Sequence, residues 1–297
     1  MSLSLVNPIK QRLKSLPLAV IRGGKRDGHL LVYEDTAAVP GTETSMVTLD
    51  DPVEVFELIP ETRHGMRSVY HICAPSGAGK STLAAGFARN FQNLFPNGKV
   101  VIISSVDLED PAFDGVDHVR LAADEELNTI SMPELAAASG DDSTLLIFDD
   151  IEGLPKEKKK ALENFQQRAL ETGRKLNIHV LSLFHRAASG GSTRTSLGEC
   201  NGLAFFPKAN CGNLSYTLKQ HFNINPSIKR LLKDDQWGRW ILVRTDGQPS
   251  YLLGEKRCAL YDSDEVEEQL RINVMEEKAA NTRAARILRD SKPMDIW

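Results

Sequence analysis

The phrase Ala74-Pro-Ser-Gly-Ala-Gly-Lys80-Ser81-Thr82 constrains this chain more than any other stretch of it. A mostly apolar run, Ser68–Cys73, precedes it, and a helix-forming stretch, Lys80–Phe95, follows it. A strand, a glycine-rich turn and a helix opening on Lys-Ser is the arrangement that cradles phosphate. Gly77 and Gly79 lack Cβ, so the backbone curls and aims successive N–H groups at phosphate oxygens. The helix adds its positive dipole end at the same point. In this pattern Lys80 reaches the β- and γ-phosphates and the Ser81 hydroxyl is a Mg2+ ligand. Thr82 lies near the α-phosphate or is merely helical. Ala74, Pro75, Ser76, Gly77, Ala78, Gly79, Lys80, Ser81 and Thr82 are thus the candidate nucleotide-binding residues, with Ala74 at the least restrictive position. ATP and Mg2+ are the expected cofactors.

A second element, Leu145-Leu-Ile-Phe-Asp149-Asp150, is an apolar strand ending in two carboxylates. Asp149 is the second candidate metal ligand, holding Mg2+ through water, and Asp150 is the acid that polarises the attacking water. Adjacent residues of a strand face opposite sides, so the two acids need different roles. Glu152 is a weaker alternative base. A third strand, Asn177–Phe184, ends in His185-Arg186. In sheets of this type the strand beside the acidic one ends in a polar residue that senses the γ-phosphate or its water, and His185 fits that place. Arg174, Arg186 and Arg194 are candidates for an arginine finger acting on a neighbouring subunit. The candidate catalytic residues are therefore Lys80, Asp150, His185, Arg186 and Arg194. Gly191–Thr195 reads as a loop near the strand ends where ligands bind, either a DNA contact or a mobile surface loop.

The expected fold class is α/β: a P-loop NTPase with a mainly parallel sheet covered by helices on both faces. Its strands are Ser68–Cys73, Lys99–Ser104, His118–Leu121, Thr144–Phe148, Asn177–Phe184 and Gly202–Phe206, with a charged helix at Pro155–Thr172. Lys99–Ser104 stands in the chain between the phosphate loop and the acidic strand. It is read as the strand inserted between them in the sheet. Residues 1–66 carry turn-rich text around short β-like pieces (His29–Tyr33, Ser45–Leu49, Val53–Leu58) and predict a small β-rich N-terminal module. The ATPase core then spans residues 67–260. It closes on helices near Leu214–Phe222 and Pro226–Lys233 and a hairpin of Arg239–Thr245 with Ser250–Gly254. Residues 261–297 predict a charged helical tail.

Composition narrows the partners. Lys and Arg number 36 against 40 Asp and Glu, for a formal charge of −4. That excludes coating nucleic acid by bulk positive charge and leaves only a local patch. With 41% hydrophobic and 26% charged residues, the chain can bury a sizeable core. The four cysteines form no CxxC pair and read as thiols of a reducing compartment. No apolar run approaches the ~20 residues of a membrane-spanning helix, and Pro17 interrupts the N-terminal apolar patch. The expectation is a soluble, intracellular protein without a membrane span.

Ala74–Thr82, Leu145–Asp150 and the phrase Gly173-Arg-Lys-Leu-Asn-Ile178 leading to His185 together resemble the FtsK–HerA-type P-loop ATPases. Members of that group package the genomes of large double-stranded DNA viruses. Arg194–Glu199 and Phe206-Pro-Lys208 resemble text of giant- and algal-virus ATPases, so the likeness runs over roughly residues 67–260. The resemblance implies Lys80, Ser81, Asp149 and Asp150 as the catalytic set. His185 takes the sensor place, where the family commonly has Gln. It also implies a homo-oligomeric ring that threads double-stranded DNA into a capsid, with capsid proteins as further partners. The setting would be the host cytoplasm or a virus factory, with virion association. Two other readings share the phosphate loop: an AAA+-like helicase loader, which needs a helical lid with a second sensor arginine, and a non-hydrolysing nucleotide-binding assembly switch. The Asp149-Asp150 pair disfavours the switch. A small-molecule kinase lacks its Arg-rich lid here.

Overall fold

The computed structural model describes residues 2–8, 15–34, 44–63, 65–106, 108–139, 143–224, 232, 235–245 and 249–261. In chain order its elements are β1 (Ser2–Val6), β2 (Leu16–Arg22), β3 (Leu30–Glu34), β4 (Met46–Thr48), β5 (Val55–Leu58), β6 (Val69–Cys73) and α1 (Lys80–Leu94). There follow β7 (Lys99–Ser104), β8 (Val119–Ala122), α2 (Met132–Ala137), β9 (Thr144–Asp149), α3 (Lys156–Thr172), β10 (Ile178–Phe184) and α4 (Gly191–Glu199). The last are β11 (Gly202–Phe205), α5 (Leu214–Phe222), β12 (Ile241–Arg244), β13 (Tyr251–Gly254) and β14 (Arg257–Leu260). The tail beyond residue 261, the helical piece at 226–233 apart from Leu232, and the turn at 246–247 lie outside the described residues.

Strands that read as unbroken apolar text end up buried on both faces, as parallel strands must. Every residue of β6, β9 and β10 is buried. They belong to a ten-stranded sheet of order β4-β14-β13-β12-β11-β6-β10-β9-β7-β8. From β11 to β8 all pairings are parallel; from β11 to β4 they are antiparallel. Alternation along β9 sorts the two faces. Leu145 and Ile147 pack with Leu83, Phe87 and Phe91 of α1, whereas Leu146 and Phe148 pack with Leu162 and Phe165 of α3. Helices thus cover both faces, as the sequence predicts.

The order of strands corrects one expectation. The strand between β6 and β9 is β10, with Val180 opposite Val69 on one side and Leu146 on the other. Lys99–Ser104 lies on the far side of β9. A parallel crossover must pass over the sheet, and it can leave a place that a later strand fills, so chain order does not give sheet order.

Residues before Arg67 build a four-stranded antiparallel sheet of order β1-β3-β2-β5, and also supply β4 to the edge of the large sheet, beside β14. One apolar cluster runs through both sheets and α1: Ile21, Phe56 and Leu58 meet Ala84, Phe87 and Tyr70. Buried charge adds a second tie. Glu61 Oε2 accepts hydrogen bonds from Arg63 Nη2 at 2.7 Å and from Arg244 Nη2, on β12, at 3.2 Å. Burial works to raise the Glu61 carboxyl, but the hydrogen bonds from Arg63 and the charge of Arg244 outweigh it and hold it below the usual carboxylate range. On the other face the buried Arg67 guanidinium donates to the carbonyls of Ala169, Leu170 and Ile178, satisfying the end of α3 and fixing the turn into β10.

Removing one member of a buried ion pair leaves its partner desolvated and uncompensated. Glu61→Ala is therefore expected to lower unfolding free energy by about 3–5 kcal/mol, measured by urea denaturation. An effect under about 1 kcal/mol would show that Arg244 finds equivalent partners.

Candidate nucleotide-binding and catalytic site

The phosphate loop leaves β6 at its C-terminal end, where the Ala74 N–H donates to Phe184 O of β10 at 3.0 Å. Gly77 and Gly79 take φ of 75° and 103°, and Gly79 directly precedes the first turn of α1. Space is not the reason for glycine here. A Cβ would meet nothing within 4 Å at Gly77 and only Phe206 Cε1 at 3.5 Å at Gly79. The requirement is the left-handed backbone itself.

Lys80 opens α1 with only 7% of its surface exposed. Its Nζ donates to Ala74 O at 3.0 Å and Pro75 O at 3.3 Å, and lies 3.3 Å from His185 Nδ1. Burial lowers its pKa from the usual lysine value, while the charges of Asp150, Asp149 and Glu152 oppose that fall. An ammonium only donates, so His185 Nδ1 accepts and Nε2 carries the hydrogen. That Nε2 lies 3.4 Å from Asp150 Oδ1. The predicted sensor histidine therefore bridges the phosphate-loop lysine and the second acid of the acidic strand.

The two acids differ in setting, because the strand ends between them. Asp149 ends β9 opposite Ser104 and is buried. Burial, reinforced by Asp150 and Asp110 and opposed by Lys80, pushes its carboxyl up to about 6. Asp150 steps off the strand with φ 50° and is exposed. Its carbonyl accepts a hydrogen bond from Ser105 Oγ. Glu152, the alternative base, has its Oε2 accepting the His185 N–H at 2.5 Å, which ties the end of β10 to the loop after β9. Sequence alone carried no signal for that tether.

Other candidates fall elsewhere. Arg186 and Arg194 are exposed on the same edge of the sheet, and neither forms an ion pair among the described residues. Arg174 precedes β10, at the opposite edge, where its Nε donates to Gly65 O at 3.0 Å. Gly191–Thr195 is no loop but the start of α4. Thr193, Ser196 and Leu197 are buried, and Ser196 Oγ lies 3.1 Å from Nδ1 of His71 on β6. Packing overrides the poor helix propensity of this Gly-Ser-Thr text. Gly79, Thr82, Phe206 and Trp240 border a recess of about 90 Å3 that Phe56 and Glu57 of β5 also line. Residues before Arg67 thus line a space next to the phosphate loop.

No protein-family model matches the chain. Uncharacterized protein V3 of Sputnik virophage is 28% identical over 248 residues, covering 81% of this chain and 94% of that protein. Among solved structures, the chain is similar to the genome packaging NTPase B204 of Sulfolobus turreted icosahedral virus 2, at 14% identity and a TM-score of 0.43, over 63% of this chain and 95% of that one. It is also similar to the pCW3 conjugation coupling protein TcpA, at 11% identity and a TM-score of 0.42, over 89% of this chain and 82% of that one. What decides the architecture is internal to this chain: a glycine turn and lysine between β6 and α1, and an acidic strand one place removed across β10. The chain has the P-loop NTPase fold. Among the described residues, no helix is long and apolar enough to cross a membrane.

A β-branched side chain is strongly disfavoured at positive φ. Gly79→Val is expected to weaken binding of a fluorescent ATP analogue at least about tenfold, by reshaping the loop rather than by removing a contact. Binding equal to wild type would show that the loop does not use this conformation when loaded.

Proposed function

We propose that this chain is an ATP-hydrolysing P-loop motor that translocates double-stranded DNA, and that it does so into a viral capsid. One observation carries the hydrolytic part: Lys80, His185 and Asp150 form a connected line, with Asp149 buried beside them. In the resting geometry the lysine is satisfied by loop carbonyls and by His185. A triphosphate in the loop draws the Lys80 ammonium to its β- and γ-oxygens and releases His185 Nδ1. The histidine is then free to shift its hold on Asp150, which orients the attacking water for in-line displacement. His185 in this role reports the γ-phosphate to the strand end that Glu152 anchors.

The donor set fits magnesium. Asp149 is a buried carboxylate pressed toward protonation by burial and by two neighbouring acids, which a divalent cation relieves, and Ser81 offers a hydroxyl in the first turn of α1. Asp149 and Ser81 would hold the ion, which would supply positive charge against the charge developing on the transferred phosphoryl group. Arg186 and Arg194, exposed on the same edge, are suited to complete a neighbour's site in a ring.

The DNA and capsid parts rest on the FtsK–HerA-like text around Lys80, Asp149 and Gly173–Ile178 and on the virophage relative. They imply action inside an infected cell, with capsid proteins as docking partners. After β11 the described chain forms α5 and then β12–β14, which extend the sheet. A helicase loader would instead carry a helical lid there.

Lys80→Ala is expected to abolish turnover. Asp150→Asn should lower kcat at least about 100-fold while leaving ATP affinity within about threefold. Steady-state ATPase assays with and without double-stranded DNA, beside native mass measurement with nucleotide, check both. Undiminished hydrolysis by either variant would reject this site, and an ATPase indifferent to DNA that stays monomeric would reject the motor.

A further inference from the structure

Beyond the nucleotide site, the start of α3 carries charge that its own fold does not explain. Residues 156–160 read Lys-Glu-Lys-Lys-Lys, four cations and one anion in a chain whose net charge is −4. The first turn of a helix exposes unpaired N–H groups and the positive end of the dipole, so it favours acids and disfavours lysines. Lys156 and Lys160 also stand four residues apart on one face, a like-charge pair that repels. No side chain caps the turn: Pro155 precedes it, and Glu157 is its sole acid. Lys156, Lys158 and Lys160 are exposed and Lys159 is partly exposed. None of the four lysine side chains forms an ion pair or hydrogen bond among the described residues. Helix position and the lysine–lysine spacing oppose this charge, and Glu157 and Glu163 at helical spacing offset only part of it, the kind of local conflict expected where an external partner resolves it.

Placement names the partner's chemistry. The tract follows β9 after the short segment 151–155, so it lies at the edge of the sheet that carries the phosphate loop, with five residues between it and Asp150. A row of unpaired lysines without interleaved aromatic side chains matches a polyphosphate backbone, not exposed bases. We infer that Lys156, Lys158, Lys159 and Lys160 form a contact surface for the sugar-phosphate backbone of duplex DNA, coupled through residues 151–155 to the acidic strand. This rests on the translocase reading and specifies which residues touch the polymer.

The test compares wild type with a variant carrying Lys156→Ala, Lys158→Ala, Lys159→Ala and Lys160→Ala, and with the fourfold Lys→Arg variant. Binding of a fluorescent duplex is followed by anisotropy across a salt series, beside ATPase rate and thermal midpoint. The alanine variant should bind at least about tenfold more weakly, with a log K against log salt slope shallower by about 3.6, since each of four lost phosphate contacts removes about 0.9. DNA stimulation of its ATPase should fall in step, while the DNA-free rate and thermal midpoint hold or rise. The arginine variant should bind as wild type does. DNA binding and stimulation unchanged in the alanine variant would overturn the inference alone. So would loss of ring assembly with DNA binding intact, which would assign the lysines to a subunit contact. A wild-type protein that neither binds nor responds to DNA would bring down the translocase reading and this inference together.

Discussion

A lysine ammonium at the junction of β6 and α1 must be kept charged in a place where little water reaches it. Two loop carbonyls and a histidine nitrogen satisfy its three hydrogens, and three acids at the ends of β9 and its following loop supply opposing charge. Each of those groups is in place because of a strand end. The carbonyls belong to the turn leaving β6, His185 to the end of β10, and Asp149 and Asp150 to the end of β9. Register among three parallel strands thus sets the distances on which the chemistry rests, and Glu152 closes the set by holding the backbone of His185.

The remaining strands serve that edge indirectly. On one side β7 and β8 extend the sheet past β9; on the other, β11 leads into an antiparallel half that ends with β4. The small N-terminal sheet presses on α1 and walls the recess beside Gly79 and Thr82 with β5. A stretch whose text carried no chemical motif therefore shapes the surroundings of the phosphate loop by packing alone.

How much of this was legible follows from where the physics is local. The glycine turn, the lysine and the acidic strand are local devices, and their elements fall within a residue or so of expectation: Lys80–Leu94, Lys99–Ser104 and Thr144–Asp149. Non-local devices were not readable. Pro17 reads as a breaker of the patch Leu16–Ile21, yet it sits in β2 where the pairing with β3 slips between Pro17 and Ala19, a place that tolerates a missing N–H. Gly191–Thr195 has loop composition and becomes helix because His71 and the face of β6 receive its buried side. Strand order depends on which crossover skips a place, and no single segment encodes that. Arg257–Leu260 escaped notice as a strand because its partners are β13 and the distant Met46–Thr48.

That last pairing has a temporal side. Thr48 finds Arg257, and Val47 finds Cys258, across more than two hundred residues of intervening chain. During synthesis β4 emerges early and cannot be paired until almost the whole described chain has followed it, so an open strand edge waits throughout elongation. Closing the sheet is consequently a late event, and the early-made part of the molecule completes its place only when the last strands arrive.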